Sequence, residues 1–211
     1  GFNRLSIIDL KAKSQPHVSE NKNYVLVCNG EIYNYKELKE QLKNKYKFES
    51  NVDTEILLPG FIEWGDQFWE KINGMFSIVL YDKKNKKITL IRDHVGIKPL
   101  HYLIGKNRFY FSSDYNSFYH QTHKSLSFDS NSILSYLSFR YVVGENTFLK
   151  NVFDVMPGEK VELDKGIKKK TYWDISLDKQ IDFGENYFVN KLENEFQETI
   201  KRQLISDVKV G

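Results

Sequence analysis

The sequence predicts an α+β fold in which antiparallel sheets are covered by helices. Short apolar runs recur in pairs about turn residues, the pattern of antiparallel hairpins. Other segments repeat apolar residues at helical spacing. Composition allows a packed core, since 40% of the 211 residues are hydrophobic and 15% aromatic. A chain so rich in apolar side chains can bury enough surface to offset its ordering entropy, which excludes a disordered protein.

Taken in order, residues 4–10, "RLSIIDL", read as a strand, and a polar loop containing Pro16 follows. Residues 24–28, "YVLVC", form a second strand, apolar almost throughout, as in a strand covered on both faces. Asn34 with Glu37 is a capping-box variant that starts a helix through "YKELKEQLKNK". Asp53 starts the next helix, "TEILLPGFIEWG". Pro59 inside it lacks a donor and crowds the preceding turn, so a kink or break is expected near Leu57. "FSIVLYDKKNKKITLIRD" reads as a hairpin, and "LHYLI" with "FYFSS" as another. Short helices are expected over residues 115–120 and 131–139. "KVELDKGIKKKTYW" places two short strands about Asp164-Lys165-Gly166. Asp182 with Glu185 caps a long final helix, where Phe188, Leu192, Phe196, Ile200 and Leu204 make one apolar stripe. A composition shift over residues 177–183 marks a domain boundary, and no internal repeat is visible.

Several function classes are excluded. The longest apolar runs, such as residues 75–81, are strand-sized, so no membrane span is expected. Net charge is +3 and the pI about 8.7, with lysines scattered or in short turn-like runs. Nucleic-acid binding needs a denser basic face, and none is expected here. His120 and His123 lack a third ligand at useful spacing, so no metal site is expected. Cys28 is the only cysteine, which rules out an internal disulfide and fits a reducing compartment. With no signal peptide recognised, a cytoplasmic location is expected. The chain begins "GFNRLSIID" without methionine and ends "LISDVKVG" in an apolar stretch, so both ends read as cut from something longer.

The residues able to carry chemistry are few. Asn29-Gly30 after a strand is a turn signal, since both residues tolerate positive φ. The same pair can aim an amide N–H and an unobstructed backbone N–H at one point, as an oxyanion hole does. Arg4 heads an apolar strand, where a planar guanidinium suits a carboxylate. Asp53 is either a helix N-cap or an acceptor for an ammonium group. The loop "IRDHVGIKPL" reads as a rigid structural turn with a local Arg92–Asp93 ion pair. Cys28, on an apolar strand with no histidine close in sequence, reads as a small buried hydrophobe and not as a nucleophile.

The motifs "NRLSIID", "NGEIYNY", "SNVDTE", "NGMFSIVLYD", "IRDHVGIKPL", "PGE…YWD" and "LISDVKVG" occur in an order and spacing that resemble the glutamine amidotransferase domain of glutamine-dependent asparagine synthetases. The resemblance covers nearly the whole chain. It implies a class II amidotransferase of the N-terminal-nucleophile hydrolase fold, a four-layer sandwich of two antiparallel sheets between helices, incomplete here. Residues 1–176 would be the glutaminase domain without its N-terminal segment. Residues 177–211 would be a linker and the first helix of a truncated synthetase (ATP-pyrophosphatase) domain.

In such enzymes the nucleophile is an N-terminal cysteine whose own α-amine is the base, and it hydrolyses L-glutamine through a thioester. Carried over by motif, Arg4 would bind the glutamine α-carboxylate, with backbone groups of Ile7 and Ile8 lining the site. Asn29 and Gly30 would form the oxyanion hole, and Glu31 and Asp53 would hold the α-amino group. Ammonia would pass to the protein's own C-terminal synthetase domain, which uses ATP and Mg to amidate aspartate. A homodimer of the parent is compatible with the resemblance.

The chain departs from the pattern in lacking both the cysteine-bearing segment and the ATP domain, so it is expected to be inactive alone. Pro59-Gly60 interrupts a helix that is usually smooth. Lys209 stands where proline is common, and Asp114 where glutamate is common. Alternative readings are a sugar or peptide acceptor, another class II amidotransferase feeding sugar-phosphate or purine synthesis, and a non-catalytic scaffold domain.

Overall fold

A computed structural model describes residues 15–105, 108–121, 126–177 and 181–205. The expected first strand over residues 4–10, and with it Arg4, Ile7 and Ile8, lies outside the described residues, as do His123 and Lys209. The elements in chain order are β1 (His17–Val18), β2 (Tyr24–Ile32), α1 (Tyr35–Leu42), α2 (Leu57–Trp64), α3 (Phe68–Lys71), β3 (Gly74–Asp82), β4 (Lys87–Arg92), β5 (His101–Ile104), β6 (Phe109–Ser112), α4 (Tyr115–Gln121), α5 (Ser130–Phe139), β7 (Val152–Asp154), β8 (Glu159–Leu163), β9 (Ile167–Thr171) and α6 (Glu185–Gln203). Among the described residues the strands form a six-stranded sheet, ordered β1-β2-β3-β4-β8-β9, and a three-stranded sheet, ordered β6-β5-β7. None of the described helices is long and apolar enough to cross a membrane.

The three expected hairpins are present, each closed by local chemistry. The β3–β4 pair runs in register from Ser77↔Arg92 to Asp82↔Lys87. Its turn is tied by Asp82, which accepts the backbone N–H of Asn85 at 3.0 Å. Strands β5 and β6 pair from His101↔Ser112 to Ile104↔Phe109. Strands β8 and β9 pair about a turn in which the Asp164 N–H donates to Gly166 O. Strands β1 and β7 have no counterpart among the sequence expectations, because two or three residues carry too little periodicity to read.

The chain divides into two compact units. One contains residues 18–30 and 75–173. Its core lies between the two sheets: Val79, Leu90, Val161 and Leu163 from the larger meet Leu100, Tyr102 and Val155 from the smaller sheet and its flanks. Burying each such side chain is worth about 1.5–3 kcal/mol. On the other face of the small sheet, Phe118 of α4 packs with Leu103 and Val152. Residues 31–74 belong to the other unit, where buried Leu38, Leu42, Ile56, Leu57, Phe68 and Trp69 gather the helices α1 to α3. The alternation of antiparallel sheets and helices is the α+β architecture expected.

Three capping expectations are corrected. Asn34 occupies the N-cap position of α1 but makes no cap hydrogen bond. Its amide instead braces a distant segment, donating to Lys71 O at 2.9 Å and accepting Asn73 N–H at 2.9 Å. Asp182 does not cap α6; it accepts the N–H of Gly184, which holds the N-cap position. Asp53 is the first residue of a 3-10 turn, Asp53–Ile56, whose cap position belongs to Val52.

The change from 3-10 to α geometry at Leu57 is the expected discontinuity near Pro59. Pro59 is the third residue of α2, within the first turn, where proline is tolerated, and the helix runs on to Trp64.

Candidate functional site

Strand β2 does not end at Cys28. Asn29, Gly30 and Glu31 lie inside it, and the strand continues to Ile32. The turn reading of Asn-Gly is thereby overturned: the pair lies in extended strand, with Gly30 held against the backbone of β3. Alternation along the strand turns Cys28 and Asn29 to opposite faces. Cys28 is 2% exposed, whereas Asn29 is exposed.

Gly30 explains its own identity. Its φ is +153, and a Cβ built on it would stand 2.0 Å from Met75 O and 2.6 Å from Phe76 Cα. Any side chain would push β2 off the backbone of β3. The result is an exposed amide side chain next to a backbone unit with no side chain over it.

Asp53, in the other unit, is 6% exposed. Its Oδ2 accepts the backbone N–H of Ile32 at 2.8 Å, so the carboxylate is aimed by a strand and not by the helix it precedes. The neighbouring Thr54 is 3% exposed, and its hydroxyl is hydrogen-bonded to His17 Nε2 at 3.0 Å. Glu55 ties the preceding loop by accepting the N–H groups of Glu49 and Ser50 and the Ser50 hydroxyl. Glu31 is half-buried.

The Arg92–Asp93 loop is rigid, as expected, but by another device. The two side chains bond to backbone groups and not to each other. The Arg92 guanidinium donates to the carbonyls of Lys98, Val155 and Gly96 at 2.7–3.0 Å. The Asp93 carboxylate, fully buried, accepts the N–H groups of Phe76, Ile97 and Lys98. His94 stands edge-on to Phe76, Tyr172 and Trp173, with centroids 5.0–6.2 Å away. Desolvation there pushes its pKa down, against an opposing pull from Asp93.

Sequence reasoning gave no sign of one further cluster. His101 Nδ1 meets the Asp154 carboxylate, and the imidazole stacks on Tyr115 at 4.2 Å. Burial, with Asp154 second, pushes the Tyr115 phenol up to about 12. His101 and Asp154 are register partners on β5 and β7, so the contact locks that pairing. Only the register reveals it, since the two residues are 53 positions apart.

Comparison with known proteins gives a consistent picture. A family model described as a glutamine amidotransferase domain matches residues 1–173. Asparagine synthetase [glutamine-hydrolyzing] 1 of Bacillus subtilis (strain 168) is 33% identical over 214 residues, covering 100% of this chain and 34% of the relative. Asparagine synthetase [glutamine-hydrolyzing] 2 of the same organism is 34% identical over 225 residues, covering 100% and 30%. Asparagine synthetase B [glutamine-hydrolyzing] of Escherichia coli (strain K12) is 40% identical over 98 residues, covering 46% and 18%. The chain thus spans about a third of the length of the first two relatives. Among solved structures, glutamine phosphoribosylpyrophosphate amidotransferase from B. subtilis, complexed with ADP and GMP, matches with a TM-score of 0.52 at 19% identity. That match covers 75% of this chain and 32% of the other, and it is a likeness of fold.

Proposed function

The chain belongs to the glutamine amidotransferase domain family, and from that premise we propose that it is the glutamine-hydrolysing part of an asparagine synthetase-like protein. In this reading Asn29 and Gly30 form the oxyanion hole. Arg4 binds the α-carboxylate of glutamine, with backbone groups of Ile7 and Ile8 beside it. Glu31 and Asp53 hold the α-ammonium. The nucleophile of this reading is an N-terminal cysteine, and Cys28, the only cysteine of residues 1–211, is too buried to serve. Ammonia released here supplies an ATP-dependent synthetase domain that amidates aspartate. Residues 1–176 form the glutaminase domain, and residues 177–211 lead into the synthetase domain.

The chemistry asked of these residues is limited. A thiolate adds to the side-chain amide carbon of glutamine, and the carbonyl oxygen takes up negative charge. Two donors placed at that oxygen lower the barrier without having to reorganise. The C–N bond breaks as the nitrogen is protonated, ammonia leaves, and water cleaves the thioester to give glutamate and free thiol.

One observation carries the reading: Asn29-Gly30 lies extended in mid-strand, with Gly30 in a backbone conformation and a contact that admit no Cβ. Turn chemistry does not explain the pair, and close packing on β3 accounts for Gly30; an exposed Asn29 amide beside it supports the donor reading. The test is Asn29→Ala in the full-length polypeptide that contains residues 1–211. Losing one oxyanion donor lowers kcat by about 10²–10³-fold, and synthesis driven by added ammonia continues. An unchanged kcat for glutamine would overturn the reading.

A further inference from the structure

Gly30 is placed by the backbone of Met75 and Phe76. What holds Phe76 in turn is unusual. Strands β3 and β4 are in register up to Ser77↔Arg92, so Phe76 and Asp93 form the next pair. In an antiparallel ladder such a pair can exchange two backbone hydrogen bonds. Here only one is made by backbone on both sides: Asp93 N–H donates to Phe76 O at 2.9 Å. The Asp93 carbonyl has turned away to accept Gly96 N–H at 3.1 Å and Gly158 N–H at 3.0 Å. Phe76 N–H goes instead to the Asp93 carboxylate at 3.2 Å. The side chain takes the place of the ladder's last acceptor exactly where β4 leaves the sheet.

The same carboxylate caps the loop that follows, accepting Ile97 N–H on Oδ1 and Lys98 N–H on Oδ2, both at 2.9 Å. Arg92 holds that loop's carbonyls. Tyr172 adds a hydrogen bond from its hydroxyl to Arg92 O at 2.6 Å. Phe76 itself is fully buried. Without the carboxylate its N–H would be a buried donor lacking a partner, and the end of β3 would have reason to shift.

We propose that Asp93 is a positioning residue for the oxyanion hole: it extends the β3–β4 ladder by one bond, pins Phe76, and so sets the surface on which Gly30 rests. The inference depends on the assignment of Asn29 and Gly30 above. It gives the "RD" of "IRDHVGIKPL" a part in catalysis without contact with substrate. A shift of a few tenths of an ångström in Phe76 moves Gly30 with it, because no side chain cushions that contact.

The test compares variants in the full-length polypeptide. Asn keeps one acceptor oxygen but must turn its NH₂ toward at least one of the three N–H groups. Asp93→Asn is therefore expected to lower kcat for glutamine hydrolysis by about tenfold to a hundredfold. The KM for glutamine and the rate with added ammonia stay within about threefold of the parent. Arg92→Lys, which loosens the same loop but leaves the carboxylate, gives a smaller loss of kcat in the same direction and serves if Asp93→Asn does not fold. Gly60→Ala, a destabilising change in the helical unit, is the control for stability alone and leaves kcat per folded molecule unchanged.

If Asp93→Asn and Arg92→Lys keep the parent kcat, or if Gly60→Ala lowers it equally, the inference is overturned. Asn29→Ala, measured alongside, separates the two levels. If it lowers kcat while the Asp93 and Arg92 variants do not, only the positioning role falls. If Asn29→Ala is also silent, the oxyanion assignment falls and the positioning role falls with it.

Discussion

The carboxylate of Asp53 accepts the backbone N–H of Ile32 at 2.8 Å. The bond joins the first residue of a 3-10 turn to the last residue of β2. It makes Asp53 at once a structural acceptor and, in the proposed function, a ligand for the substrate ammonium, and substitutions can separate the two. Asp53→Ala leaves the buried Ile32 N–H unpaired, which costs about 1–3 kcal/mol of stability. Asp53→Asn keeps an acceptor oxygen and loses only the charge. In the full-length polypeptide it is expected to raise the KM for glutamine by about one to two decades, the worth of a charge-assisted hydrogen bond. Denaturant unfolding and steady-state kinetics with glutamine and with ammonia distinguish the outcomes. If the Asn variant loses both activities equally, Asp53 is a brace and not a ligand.

Gly60 is expected to be intolerant of a methyl group. A Cβ there would lie 2.2–2.7 Å from three ring carbons of Phe68, which is fully buried and has little room to move. Overpacking of this kind costs about 1–3 kcal/mol. Gly60→Ala should lower the midpoint of chemical denaturation, and an unchanged midpoint would show that the Phe68 ring can yield.

Cys28 should be inert in the folded protein. At 2% exposure its thiol is closed to a water-soluble disulfide reagent and should react only after denaturant is added. Cys28→Ala in the full-length polypeptide should keep glutamine hydrolysis. Loss of that activity with folding intact would place the nucleophile back at this residue.

His94 should make stability depend on pH. Burial lowers its folded pKa below the ordinary 6.5. Above 6.5 both the folded and unfolded states are neutral, and the group adds no slope. As pH falls through 6.5 the unfolded chain binds a proton that the folded chain still refuses, so the unfolded state gains and stability drops. The loss is complete once pH has passed below the folded pKa. His94→Gln removes this contribution, so its unfolding free energy should change less than the parent's between pH values above and below 6.5. An equal change in both would show that His94 is solvated in the folded state.

Much of this architecture was legible from local chemistry. The β3–β4 and β8–β9 hairpins follow from alternating apolar runs about turns that close on themselves through Asp82 and Asp164. Helices α4 and α5 began within a residue of where the pattern put them. Cys28 was recognisable as a core residue from the strand around it. The motif resemblance identified the family where physical pattern alone left turn and donor readings of Asn29-Gly30 side by side.

Two of the errors share a cause. Asn34 and Asp53 each carry a side chain suited to a local cap, and each uses it on a distant segment. Arg92 and Asp93 are adjacent and opposite in charge, yet each satisfies backbone groups. Local rules rank the partners available within a few residues, and they cannot see a partner 21 or 37 positions away.

What the sequence determined by itself is therefore the set of elements whose hydrogen bonds close nearby, together with the family. Tertiary structure decided where the polar side chains spend their hydrogen bonds. It kept Asn29-Gly30 in the strand and pressed Gly30 onto β3, where only a residue without a side chain fits.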